Sequence, residues 1–69
     1  MGNSLQIKVG NRIQEIRIEK NLSQQDLAAK CNFEKSNMSR LEAGRANATL
    51  STLDIVSKAL EVEVIELFK

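Results

Sequence analysis

The sequence contains no histidine, tryptophan, tyrosine or proline, and its single cysteine is Cys31. One cysteine makes no internal disulfide, which fits a reducing cytoplasm. With no histidine and one thiol, a zinc site has no ligand set. The same shortage removes the histidine and Cys–base pairs on which many acid–base and nucleophilic sites depend. Nor is there a glycine-rich phosphate loop. The chain therefore does not read as an enzyme, and no cofactor, metal or small-molecule ligand is expected. Two phenylalanines are its only aromatics, which leaves RNA recognition without stacking platforms. No apolar run approaches the length of a membrane span. The start MGNSLQ is close to a myristoylation signal, but Gln6 stands where Ser or Thr is required. Without a signal peptide, the Asn-x-Ser/Thr triplets at Asn21, Asn37 and Asn47 read as chance matches.

What remains is 69 residues, enough for one domain with a thin core. Residues 1–7 read as an N-terminal extension and 8–69 as the domain. Net charge is only +1, but it is unevenly placed. Residues 1–48 hold eight Lys/Arg and five Asp/Glu, a balance of +3. Residues 49–69 hold two and four, a balance of −2. The first part offers a local basic surface of the kind nucleic acid requires; the competing reading is an ordinary solvated surface.

Apolar spacing predicts an all-α, five-helix bundle. Helix one spans about 8–20, with Val9, Ile13 and Ile16 on one face, and ends at Asn21, a residue tolerant of the left-handed conformation. Helix two starts at the N-cap Ser23. Asp26 completes an acidic capping box, and Leu22 and Leu27 form a hydrophobic staple. Leu27, Ala28 and Cys31 face inward. Asn32 makes a turn and Phe33 drops into the core. A third helix runs from near Glu34 to Gly44, so two short helices lie a few residues apart, the dimensions of a helix-turn-helix. Thr49 caps a fourth helix, with Ser51 as a competing cap. Leu50, Leu53, Val56, Ala59 and Leu60 form its buried stripe. Residues 64–68 form the fifth.

The third helix is unusual in its polar face. Met38 and Leu41 share one side. The other carries Lys35, Ser36, Asn37, Ser39 and Arg40, although Ser and Asn are mediocre helix formers. A face that only meets water is better served by Glu, Lys and Gln. Short hydrogen-bonding groups framed by two cations suit a surface that closely approaches another molecule.

Over nearly all its length the chain is similar to the DNA-binding domain of the phage repressor and Cro-type (XRE-like) helix-turn-helix family. The match is carried by Arg12 and Arg17, Leu22-Ser23-Gln24, Leu27-Ala28, then Ser36, Met38, Ser39, Leu41, Glu42 and Gly44. Downstream it continues through Asn47, Thr49, Leu53, Ala59, Leu60 and Leu67-Phe68. The chain departs from the pattern at Asn32, where the family often has Gly, at Ala48, where it often has Pro, and at Glu63, where Ser or Pro often starts the last helix.

The resemblance implies a lambda-repressor-like fold and a cytoplasmic, nucleoid-associated regulator of a bacterium or phage. It would bind double-stranded DNA with helix three in the major groove. Lys35, Ser36, Asn37, Ser39 and Arg40 become candidates for base reading, since Arg grips guanine O6 and N7 with two bonds. Gln24, Arg45 and Asn47 become phosphate contacts, with Lys8 and Arg12 as outlying candidates. Simpler roles compete: Arg40 paired with Glu34, Gln24 as a helix former, Lys35 as solvation. The matching Arg17 and Glu42 form a structural ion pair in the family. Val62, Val64, Ile65, Leu67 and Phe68 exceed what one side of so short a segment buries, and Ile55 lies off the buried stripe of helix four. Ile55, Val62, Val64, Ile65 and Phe68 are therefore candidates for a homodimer interface; the competing reading is that the segment simply closes a thin core. The rival function is an antitoxin-like module that binds a partner protein as well as DNA. The chain's last residue, Lys69, leaves little room for a partner-binding tail and favours the stand-alone regulator.

Overall fold

A computed structural model describes residues 4–69. Met1 to Asn3, which include the opening of the myristoylation-like start, lie outside the described residues. These fold as α1 (Ser4–Glu19), α2 (Gln24–Cys31), α3 (Lys35–Glu42), α4 (Leu50–Leu60) and a C-terminal 3₁₀ turn (Val64–Phe68). The expected fifth α-helix is thus a correction: among the described residues there are four α-helices, and the last segment is a five-residue 3₁₀ turn. The Glu66 N–H donates three residues back to the Glu63 carbonyl, and Glu63 supplies no side-chain cap. α1 begins one turn before Lys8.

All four α-helices end in the same way. Asn21, Asn32, Gly44 and Glu61 are in the left-handed conformation, with φ between 59° and 75°. At each, the next N–H reaches back five residues: Leu22 to Arg17, Phe33 to Ala28, Arg45 to Arg40 and Val62 to Ser57. This is the Schellman arrangement, which satisfies the last carbonyls and turns the chain sharply. The apolar residues that follow, Leu22, Phe33 and Val62, then fold back against the core. Only Gly44 takes this conformation without a steric cost. Asn tolerates it; Glu61 does not escape the penalty.

The starts are equally specific. Ser23 Oγ accepts from the Asp26 N–H at 2.9 Å, and Asp26 Oδ2 accepts from the Ser23 N–H at 3.1 Å. Thr49, not Ser51, caps α4, accepting from the Thr52 N–H at 3.1 Å.

The core is one cluster in which Ile13, Leu27, Met38, Val56, Leu60 and Leu67 are sealed from solvent. α3 packs on α1 and α2, and α4 packs on α2 and the 3₁₀ turn. Three expected core members differ. Leu50 is 83% exposed, because it is the first residue of α4 and the buried stripe starts one turn later at Leu53. Phe33 and Ala59 are only half-buried. Among the described residues no helix is long and apolar enough to cross a membrane.

Candidate nucleic-acid interface

α3 divides cleanly into two faces. Met38, Leu41 and Glu42 are buried, while Lys35, Ser36, Asn37, Ser39 and Arg40 are all exposed. Among the described residues, neither Lys35 nor Arg40 is engaged in an ion pair, so Arg40 is not paired with Glu34. Both cations keep their full donor sets facing outward. A hollow of about 320 Å³ separates α3 from the α3–α4 loop, with Asn37 and Arg40 on one wall and Asn47 on the other. These groups therefore share one continuous surface.

One buried carboxylate fixes where α3 lies. Glu42 is its last residue, and the Glu42 carboxylate takes both arms of Arg17 from α1. Arg17 Nε donates to Oε2 at 2.8 Å and Nη2 donates to Oε1 at 3.0 Å. Both side chains are about nine-tenths buried or more. The third nitrogen, Nη1, donates to the Leu22 carbonyl at 2.9 Å, just before the cap of α2. Such a fork is planar and bidentate, so it fixes angle as well as distance. Removing either partner would leave a buried charge uncompensated, costing about 3–5 kcal/mol.

Gln24 is the first residue of α2 and half-buried. Its Nε2 donates to Glu42 Oε1 at 3.1 Å. The helix start beside it presents unpaired backbone N–H groups and the positive end of the dipole, an environment that favours an anion.

The α3–α4 loop is held by the start of α1. A Cβ on Gly44, with φ 75°, would meet the Ile7 backbone at 2.7 Å, so the loop packs directly on α1. The Gln6 amide donates to Asn47 Oδ1. Arg45 and Asn47 are exposed on this loop, and among the described residues Arg45 forms no ion pair. Gly10 also makes a close approach: a Cβ there would lie 2.5 Å from the Leu41 carbonyl oxygen and 2.7 Å from that of Glu42. Sequence reasoning passed over Gly10 and Gln6. An isolated glycine inside a helical pattern was the available signal for the first; for Gln6 there was none, because its partner is 41 residues away.

The outlying candidates separate. Lys8 is exposed. Arg12 is occupied: its Nε donates to the Glu66 carbonyl at 2.8 Å, and its Nη2 to Glu66 Oε1 at 3.3 Å. That contact ties the 3₁₀ turn to α1. Of the candidate interface residues, Ile55, Val64, Ile65 and Phe68 are 41%, 42%, 60% and 37% exposed, and Val62 is half-buried. The core takes only Leu67 completely from that segment.

Among the described residues three groups have shifted acidities. The Glu66 carboxyl is held below its ordinary range first by its hydrogen bond from Lys69. The Ser23 backbone N–H, and then its hydroxyl, hold the Asp26 carboxyl below its ordinary range. Burial pushes the Cys31 thiol up, which leaves it a small apolar side chain rather than a nucleophile.

Residues 13–67 match the family model described as helix-turn-helix. The chain is 34% identical over 64 residues to control protein C.BamHI of Bacillus amyloliquefaciens, covering 91% of this chain and 79% of that one. It is 45% identical over 56 residues to the immunity repressor protein of Bacillus phage phi105, covering 81% of this chain but 39% of the repressor. In three dimensions it is similar to the restriction-modification controller protein C.AhdI from Aeromonas hydrophila. That match has a TM-score of 0.87 at 35% identity and covers 90% of this chain and 94% of that one. The chain belongs to the helix-turn-helix family of DNA-binding transcription regulators.

Proposed function

We propose that this protein is a small repressor or controller that reads a palindromic DNA operator with α3. The observation that carries the reading is the outward face of α3, where short polar groups lie between the unpaired cations Lys35 and Arg40. Ser36 and Ser39 allow close approach to base edges, and Arg40 supplies the bidentate grip on guanine. Gln24, Arg45 and Asn47 flank this face and set the register on phosphates. The names of the related control, controller and repressor proteins support the regulatory role. The protein acts in the cytoplasm, at the nucleoid, and performs no catalysis.

One short helix reads only a few base pairs, which is too little against the competing sites of a genome. Two copies related by a two-fold axis double the site and place half-sites about 34–36 Å apart. Ile55, Val64, Ile65 and Phe68, with the half-buried Val62, form the self-complementary patch for that homodimer. Selection from random duplex DNA tests the reading. It should enrich a palindrome, with affinity falling by about 0.9 log units per log unit of salt for each phosphate neutralised. Enrichment of no sequence would overturn it. Val64→Glu should abolish operator binding in a folded monomer; an unaltered protein that sediments as a monomer at high micromolar concentration, with one copy bound per operator, would refute the dimer.

A further inference from the structure

The buried ion pair has a third member, the half-buried Gln24. Glu42 Oε1 accepts from Arg17 at 3.0 Å and from Gln24 Nε2 at 3.1 Å. We propose that Glu42 is a positioning residue for DNA binding, which orients the Gln24 carboxamide so that its second N–H faces the phosphate backbone. The inference rests on the reading of Gln24 as a phosphate contact.

The chemistry leaves one arrangement. A carboxylate only accepts, so only the nitrogen end of the Gln24 amide can face it. That choice fixes the orientation of the whole group. Nε2 carries two protons; one goes to Glu42 and the other remains for a ligand. A phosphate oxygen also only accepts, so a carboxamide turned the other way would present oxygen to oxygen. The side chain is also ordered before DNA arrives, so binding does not have to immobilise a long flexible group. The positioner is itself immobile: Arg17 holds both its oxygens, and the third arm of Arg17 holds the Leu22 carbonyl at the entrance to α2. The proton donor and the helix start that carries it are thus set by the same buried group.

A double-mutant cycle tests this on the duplex enriched from the random pool. Arg17→Met combined with Glu42→Leu removes the anchor and exchanges the ion pair for apolar groups, a change that buried pairs often tolerate. Gln24→Ala is then measured in both backgrounds. In the native background it should weaken binding about tenfold, as for a hydrogen bond to a charged partner. In the anchorless background the loss should shrink below about threefold. Equal losses in both would overturn the positioning role and leave the phosphate contact standing. No loss in the native background would overturn the contact itself, and the inference with it. The unaltered protein gives a second readout that does not depend on the double variant folding. Nitrogen relaxation of the Gln24 side-chain amide without DNA should give an order parameter above about 0.6; a lower value overturns the proposal.

Discussion

Gly10→Ala opposes two effects whose magnitudes decide its sign. Gly10 lies inside α1, where alanine is the better helix former by about 0.8–1.0 kcal/mol. On an open helix face the substitution would stabilise. Here the new Cβ would sit 2.5 Å from the Leu41 carbonyl oxygen and 2.7 Å from that of Glu42. Both are backbone atoms at the end of α3, so neither can swing aside as a flexible side chain would. Relief requires α1 and α3 to move apart, and such overpacking costs about 1–3 kcal/mol. The movement also stretches the Arg17–Glu42 pair, whose two hydrogen bonds are 2.8 and 3.0 Å long. The net expectation is destabilisation by about 0–2 kcal/mol, against a gain of about 0.8–1.0 kcal/mol if the contact were absent. For a domain of this size that is a fall of about 4–8 °C in Tm for each kcal/mol. Urea unfolding followed by circular dichroism measures it, with the slope m unchanged. Asn11→Ala is the internal control: the neighbouring residue is exposed, so it should gain up to about 0.5 kcal/mol. A Gly10→Ala variant that gains stability like the control would refute the close contact between the two helices.

Other outcomes follow from the same geometry. Arg40→Ala should cost about 1–3 kcal/mol on the selected operator and relax preference at one or two base pairs, while Arg45→Ala should weaken all duplexes alike and flatten the salt slope; equal losses on operator and random DNA for Arg40→Ala would remove it from the reading set. Glu61→Gly should raise stability by about 0.5–1 kcal/mol in urea unfolding, since Glu61 holds φ 60° where glycine bears no penalty. Asp26, held down first by the Ser23 N–H, and Glu66, held down first by its hydrogen bond from Lys69, both have folded acidities below their ordinary values of 3.8 and 4.5. Their stabilisation is therefore complete above those values and lost as pH falls through the lower folded ones; urea midpoints should drop below about pH 4, and Asp26→Asn should make that drop shallower.

Local chemistry was readable, and long-range contact was not. The cap at Ser23 and the turn at Asn32 are decided within a few residues, and the structure has both where the sequence puts them. The stop at Glu61 is different. Nothing in a glutamate announces the left-handed conformation; the need to bury Val62 after α4 imposes it. The last segment differs from the expected α-helix because its apolar content is helical in pattern, while its start lacks a side-chain cap and its Glu66 N–H bonds three residues back. Leu50 was misjudged because membership of an apolar stripe says nothing about where the first turn of a helix points. The outward residues of α3 were legible as a composition, whereas the third bond of Glu42, made to Gln24 eighteen residues earlier, required coordinates.

α3 buries three side chains, Met38, Leu41 and Glu42. Its other five residues are exposed. Exchanges at such exposed positions usually change stability by less than about 0.5 kcal/mol, a small fraction of the margin by which domains stay folded. On the proposed reading of α3, the target can therefore be rewritten without the fold being renegotiated. A few codon changes between Lys35 and Arg40 would then give a duplicated copy a different operator, and two such descendants in one cell would come to ignore each other's sites while keeping the same architecture.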